Sequence, residues 1–182
     1  MASKLVTSNG KAGQDVWTND VEPTTLQALA GSKPVSMKAR TTAYTAVWNY
    51  IMTKNAAGLY AQSQTFFAEY TMRVATAAPS DDSALPEYYD AEWDRFVPGV
   101  KLANRILDLI HKRYVKREPS ECHGDILTVR NLAFKSWKKN VLVGLLPRID
   151  TVDKARLERV WGLFAAPELD EETLGDMRLS AS

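Results

Sequence analysis

Hydrophobic positions recur along this chain at intervals of three and four, the spacing of helices with one apolar face. Between Met37 and Met52 the large or apolar residues are Ala43, Tyr44, Val47, Trp48, Ile51 and Met52. The rhythm returns from Leu59 to about Ala77 with Leu59, Phe66, Phe67, Tyr70 and Val74. A further helix opens after Asp82 and carries Tyr89 and Trp93 four apart, with Phe96 three further on. The clearest pattern runs from about Gly99 to Lys116, with Ala103, Ile106, Leu107, Ile110 and Tyr114 on one face. Lys101, Asn104, Arg105, Asp108 and Lys112 lie on the other. A helix opening at Gly124-Asp125 and running to about Val143 turns Ile126, Val129, Ala133 and Trp137 inward. One more spans Thr151 to Phe164.

Punctuation between these segments is that of helices. A short first helix starts at Pro23, where proline suits the first turn, and ends at Gly31-Ser-Lys-Pro34. Ser36 is placed to cap the next. Asn55-Ala-Ala-Gly58 and Ala78-Pro-Ser-Asp-Asp-Ser83 read as loops, the second supplying Asp or Ser as a cap and Pro86 for a first turn. Pro98 is expected to kink or end its helix, because proline lacks the N–H and crowds the preceding turn. Pro147 is expected to break the helix before it. β-Branched alternation and hairpin dipeptides are missing. The fold class is all-α: one domain over residues 14–164, a disordered tail over 1–13 and an acidic tail over 165–182.

Composition narrows the picture without changing it. At 182 residues, 45% hydrophobic and 25% charged, the chain can bury a sizeable core. A net charge of +1 gives no global attraction to nucleic acid or anionic membrane. Cys122 is the single cysteine, which excludes an internal disulfide. The N-terminus has no apolar stretch of the secretory kind, and no apolar run approaches the roughly 18 residues of a membrane span. Cytosol or nucleus is the expected location.

Candidate chemistry is sparse. Cys122-His123 lacks the further ligands a metal needs and the third group a catalytic dyad needs. The carboxylates from Asp81 to Asp94 fall on a loop and the first turns of a helix, where they favour capping and the helix dipole. No glycine cluster could cradle a phosphate. The basic run His111 to Arg117, with Lys135, Lys138 and Lys139, reads as a solvated helix end, although it could track a phosphate backbone. Neither an enzyme, nor a cofactor, nor a small-molecule substrate is expected. Tyr44, Trp48, Tyr89, Trp93, Tyr114 and Trp137 are more aromatics than a core needs, and aromatics with a polar handle favour binding surfaces.

Four stretches resemble the cullin family. Tyr44-Thr-Ala-Val-Trp-Asn-Tyr50 is similar to a signature on the second helix of cullins, and Tyr88-Tyr-Asp-Ala-Glu-Trp93 to an aromatic motif on a later one. Lys112-Arg-Tyr-Val-Lys-Arg-Glu118 and Leu132-Ala-Phe-Lys-Ser-Trp137 follow in the family's order, from about residue 36 to 145. The resemblance implies the first helical repeat of a ubiquitin-ligase scaffold, a repeat that docks an adaptor of the Skp or BTB/POZ type. It implies an adaptor surface from the second helix and the basic-ended helix, with Tyr44, Trp48, Asn49 and Tyr114 at matching positions. Arg40 stands where relatives recognising Skp-type adaptors have an aromatic, and Thr42-Ala43 where they have an acidic or leucine pair. The pattern fades after Pro147, and no RING-recruiting half is expected in this chain. A competitor of full-length cullins for adaptors is the implied role, and a helical domain turned to another partner or to self-association is the alternative.

Overall fold

The computed structural model describes residues 15–31, 34–53, 56–110 and 127–148. Five helices of nine residues or more form there: α1 (Glu22–Ala30), α2 (Met37–Thr53), α3 (Ala57–Thr76), α4 (Leu85–Ile106) and α5 (Val129–Trp137). A π-helical turn, Trp17–Val21, leads into α1, and a second, Lys138–Leu142, extends α5 towards Arg148. No strand occurs among the described residues. The tails, the Thr151 to Phe164 segment, Cys122-His123, and Tyr114 with its basic run lie outside them.

The caps explain where the helices begin and end. Ser36 Oγ accepts the N–H of Ala39 at 3.1 Å in the first turn of α2. Gly31 ends α1 with φ of 65°, a left-handed value that glycine adopts without a Cβ penalty. Its N–H returns to Ala28 O at 3.2 Å. Asp81 accepts the N–H of Ser83 at 3.0 Å and opens the 3₁₀ turn before α4.

Two boundaries differ from the sequence expectation. Pro98 does not end its helix: α4 runs from Leu85 to Ile106 with the proline inside. The proline removes one donor from the ladder at an exposed position, and the buried residues on either side of it, Trp93, Phe96, Val100 and Ala103, hold the helix through it. The expected helix from about Gly99 is therefore the second half of α4. It stops at Ile106, and a turn at Leu107 precedes further helix at Asp108–Ile110, where the described residues end. α5 starts at Val129 rather than Gly124-Asp125, because Thr128 is extended and its Oγ1 takes the N–H of Asn131 at 3.1 Å.

α4 is the organising element. Its buried face carries Tyr89, Trp93, Phe96, Val100, Ala103 and Ile106. α1 and α2 pack on one side of it, and α5 and the rings of α3 on the other. The centre is aromatic: Phe96 and Trp137 stand 4.4 Å apart by ring centroids, Trp93 and Trp137 5.4 Å, and Tyr89 and Trp137 5.7 Å. Edge and tilted contacts of this kind contribute beyond the area they bury. Trp137 Nε1 donates to Tyr89 Oη at 3.2 Å, which satisfies the polar atom of a fully buried indole. The π turn after α5 brings Asn140 against α3, where its amide donates to Thr71 Oγ1 at 2.9 Å.

Candidate docking face on α2

α2 has one buried flank and one bare one. Ala43, Val47, Tyr50 and Ile51 are buried. Met37 is 70% exposed, Tyr44 39%, Trp48 41% and Met52 52%. Successive residues of an α-helix turn by about 100°, so Tyr44 and Trp48 differ by only about 40° and lie one above the other. Their rings are 6.5 Å apart and tilted by 34°. The pattern alone left these two on the apolar face or its edge, and the edge is where they are. Among the described residues only Met72 and Val143 are comparably exposed large hydrophobics, and neither is on α2.

Beside this stripe lies a depression of about 240 Å³ bordered by Arg40, Thr41 and Tyr44 of α2 and by Leu102, Arg105 and Ile106 of α4. A larger groove of about 790 Å³ continues from it between α1, α2 and α4. The two share Arg40, Leu102 and Arg105. The large groove has an apolar floor with Val35, Pro98 and Leu102, and its charged lining is Arg40, Arg95, Lys101 and Arg105 against one carboxylate, Asp94. Arg95 also pairs with Glu92 of its own helix.

Arg40 is the junction. It is half-buried, and its buried Nε finds no acceptor among the described residues. A buried donor without a partner costs on the order of 1–3 kcal/mol, more when it belongs to a charged group.

The structure thus brings Arg40 and Tyr44 to one depression, with Trp48 one turn further on. Asn49 is exposed but lies about 100° round the helix from Trp48, away from the depression. Tyr114 falls outside the described residues. Met37, Leu102 and Arg105 also belong to the face. Sequence reasoning placed Lys101 and Arg105 on the polar side of their helix, but nothing in one helix's periodicity says that this side meets Arg40 of another. The remaining aromatics are core: Tyr89 is 0%, Trp93 1% and Trp137 0% exposed. Burial pushes the Tyr89 phenol well above the ordinary tyrosine range and holds Tyr70 at about 12, the latter assisted by Glu92.

Among the described residues there is no group of three or more His, Cys, Asp or Glu able to hold a metal, and no helix long and apolar enough to cross a membrane. The acidic cluster is dispersed: Asp81 caps, Asp82 pairs with Arg148 at 2.8 Å, and Glu92 pairs with Arg95.

Residues 19–160 match the family model described as the cullin alpha solenoid domain, more than three quarters of the chain. Cullin-1 of Caenorhabditis elegans is 26% identical over 92 residues, which is 50% of this chain and 12% of that protein. The chain therefore aligns with about an eighth of that relative's length.

Proposed function

This chain belongs to the cullin family, and on that premise we propose that it is a scaffold repeat whose α2 face docks an adaptor of a ubiquitin ligase, of the Skp or BTB/POZ type. One observation carries the reading. Among the described residues, four of the six exposed large hydrophobics, Met37, Tyr44, Trp48 and Met52, share one helix, where a lone domain gains nothing by leaving them bare. Tyr and Trp anchors in such a stripe are the residues that dominate helix-in-groove recognition. Arg40 adds a charged contact at the rim, giving register more than affinity.

Calorimetric titration with a Skp-type adaptor, and with a BTB/POZ adaptor in parallel, tests the proposal. Binding at micromolar or tighter is expected to one of them. Tyr44→Ala and Trp48→Ala should each cost about 2 kcal/mol or more, roughly thirtyfold in Kd. Both side chains are exposed, so circular dichroism and thermal unfolding should stay unchanged. Two scaffolds bearing the same face exclude one another on one adaptor. Added in excess, the chain should therefore displace full-length cullin from that adaptor in a pull-down, and intact cullin–adaptor complexes would count against the reading.

A specific observation favours a second reading. Arg40 occupies a position where the family resemblance sets an aromatic, and it lines the depression beside Tyr44. A face altered in this way would serve a different protein or a second copy of the chain. Silence with both adaptors, together with association that Trp48→Ala abolishes in sedimentation, would decide for it.

A further inference from the structure

Adaptor docking leaves two features unused, and they complement each other. Glu168-Leu-Asp-Glu-Glu-Thr-Leu-Gly-Asp176 sets five carboxylates among two leucines, with no cation between them. It lies beyond the segment that matches the family model, which ends at residue 160. The 790 Å³ groove has the opposite balance: apolar lining at Val35, Pro98 and Leu102, with Arg40, Arg95, Lys101 and Arg105 against the single carboxylate of Asp94. We propose that residues 168–176 of this chain are the groove's ligand, bound in cis.

Arg40 fixes the register. It is half-buried at the point where the groove meets the Tyr44 depression, and a carboxylate accepts from a guanidinium in the fork geometry that group offers. Lys101 and Arg105 are one turn apart on α4, so a second and third carboxylate fall along the same wall. Leu169 and Leu174 supply the apolar surface that the floor calls for.

Reach permits it. Arg148 is held at the loop before α4, its guanidinium donating to Asp82, to Pro79 O at 2.8 Å and to Ser80 O at 3.0 Å. At 1.5 Å per helical residue, the groove's α4 wall, Ala91 to Arg105, begins about 14 Å from Asp82 and ends about 35 Å away. With residues 151–164 helical, as their periodicity predicts, the 20 residues from 149 to 168 still span up to about 41 Å. Tethering gives a millimolar effective concentration, so a weak charged contact suffices to fill the groove. Arg40, Leu102 and Arg105 also border the Tyr44 depression, so a docked segment screens the rim of the α2 face.

Paramagnetic broadening in the full chain tests this. Cys122→Ser removes the native thiol, and Thr173→Cys places a nitroxide in the acidic segment. Amide signals of Val35, Arg40, Lys101, Leu102 and Arg105 should broaden severalfold more than those of Ala61 or Met72 on exposed α3. Lys101→Glu with Arg105→Glu, both at exposed positions, should remove the difference, as should 1 M salt. Uniform broadening over the surface, or a difference indifferent to charge reversal, overturns the proposal. A mixed sample of labelled and spin-labelled chains separates cis from trans: broadening that survives mixing assigns the groove to a second copy and overturns the cis ligand. No adaptor enters the experiment, so its outcome is independent of adaptor docking.

Discussion

A single methyl group at position 99 probes the packing that holds the groove open. Gly99 lies in α4 where α1 crosses closest. A Cβ there would stand 2.3 Å from Leu29 Cδ2, 2.6 Å from Leu29 Cγ and 3.3 Å from Leu29 Cα. Leu29 is 1% exposed, so its branch has no open volume to retreat into, and the third contact is backbone. Overpacking a filled core costs about 1–3 kcal/mol. Alanine for glycine inside a helix returns about 0.5–1 kcal/mol. Gly99→Ala should therefore destabilise by about 1–2 kcal/mol. Leu29→Ala alone should cost about 2–5 kcal/mol through the cavity it leaves. In that background the clash with the leucine branch is gone and only the 3.3 Å approach to the residue 29 Cα remains, so Gly99→Ala should be neutral or stabilising by up to about 1 kcal/mol. The double-mutant cycle then yields a coupling of about 1–3 kcal/mol. Urea unfolding followed by tryptophan fluorescence reads each corner as a shift in midpoint at constant m. If Gly99→Ala has the same effect in both backgrounds, or stabilises the native sequence, the close approach of α1 and α4 is refuted.

Two further outcomes follow from the aromatic centre. Tyr89→Phe keeps the ring but leaves the buried Trp137 N–H without its acceptor, so it should cost about 1–3 kcal/mol in urea unfolding; an unchanged midpoint would show that the bond contributes nothing. Alkaline titration should separate the tyrosines, because unfolded-chain phenols ionise near about pH 10 while burial holds Tyr70 at about 12 and pushes Tyr89 higher still. Above pH ~10 the unfolded state releases protons that the native state keeps. Stability from Tyr70 is therefore complete below that pH and lost as pH rises towards 12. Tyrosinate absorbance at 295 nm should show buried phenols ionising only as helical circular dichroism collapses. Ionisation of all seven tyrosines near pH 10 with helix intact would contradict the burial.

How much of this could be read from the sequence depends on the range of each interaction. Ser36 and Gly31 announced their caps because capping is decided within four residues. The face of α2 was legible to within one position, since periodicity fixes direction; it does not fix depth, so Tyr44 and Trp48 could be placed only on a face or its edge. As a helix end Pro98 misled, because its helix is held by neighbours on both sides: α1 against Gly99, and α5 against Trp93 and Phe96. Tertiary packing outweighs one lost hydrogen bond, and a local rule cannot see it. Thr128 was missed for the opposite reason, a competing local signal at Gly124-Asp125. The groove was invisible because Arg40 and Arg105 are 65 residues apart, and only the crossing of α2 with α4 makes them neighbours.

The fork at Arg148 has a mechanical meaning. Three groups of one loop, the Asp82 carboxylate and the carbonyls of Pro79 and Ser80, receive the same guanidinium. That loop leads directly into α4, the longest helix described. Tension applied to the chain beyond residue 148 is therefore handed sideways to the base of α4 instead of peeling α5 from its end. The three contacts share it, so the loss of one leaves two others on the same guanidinium.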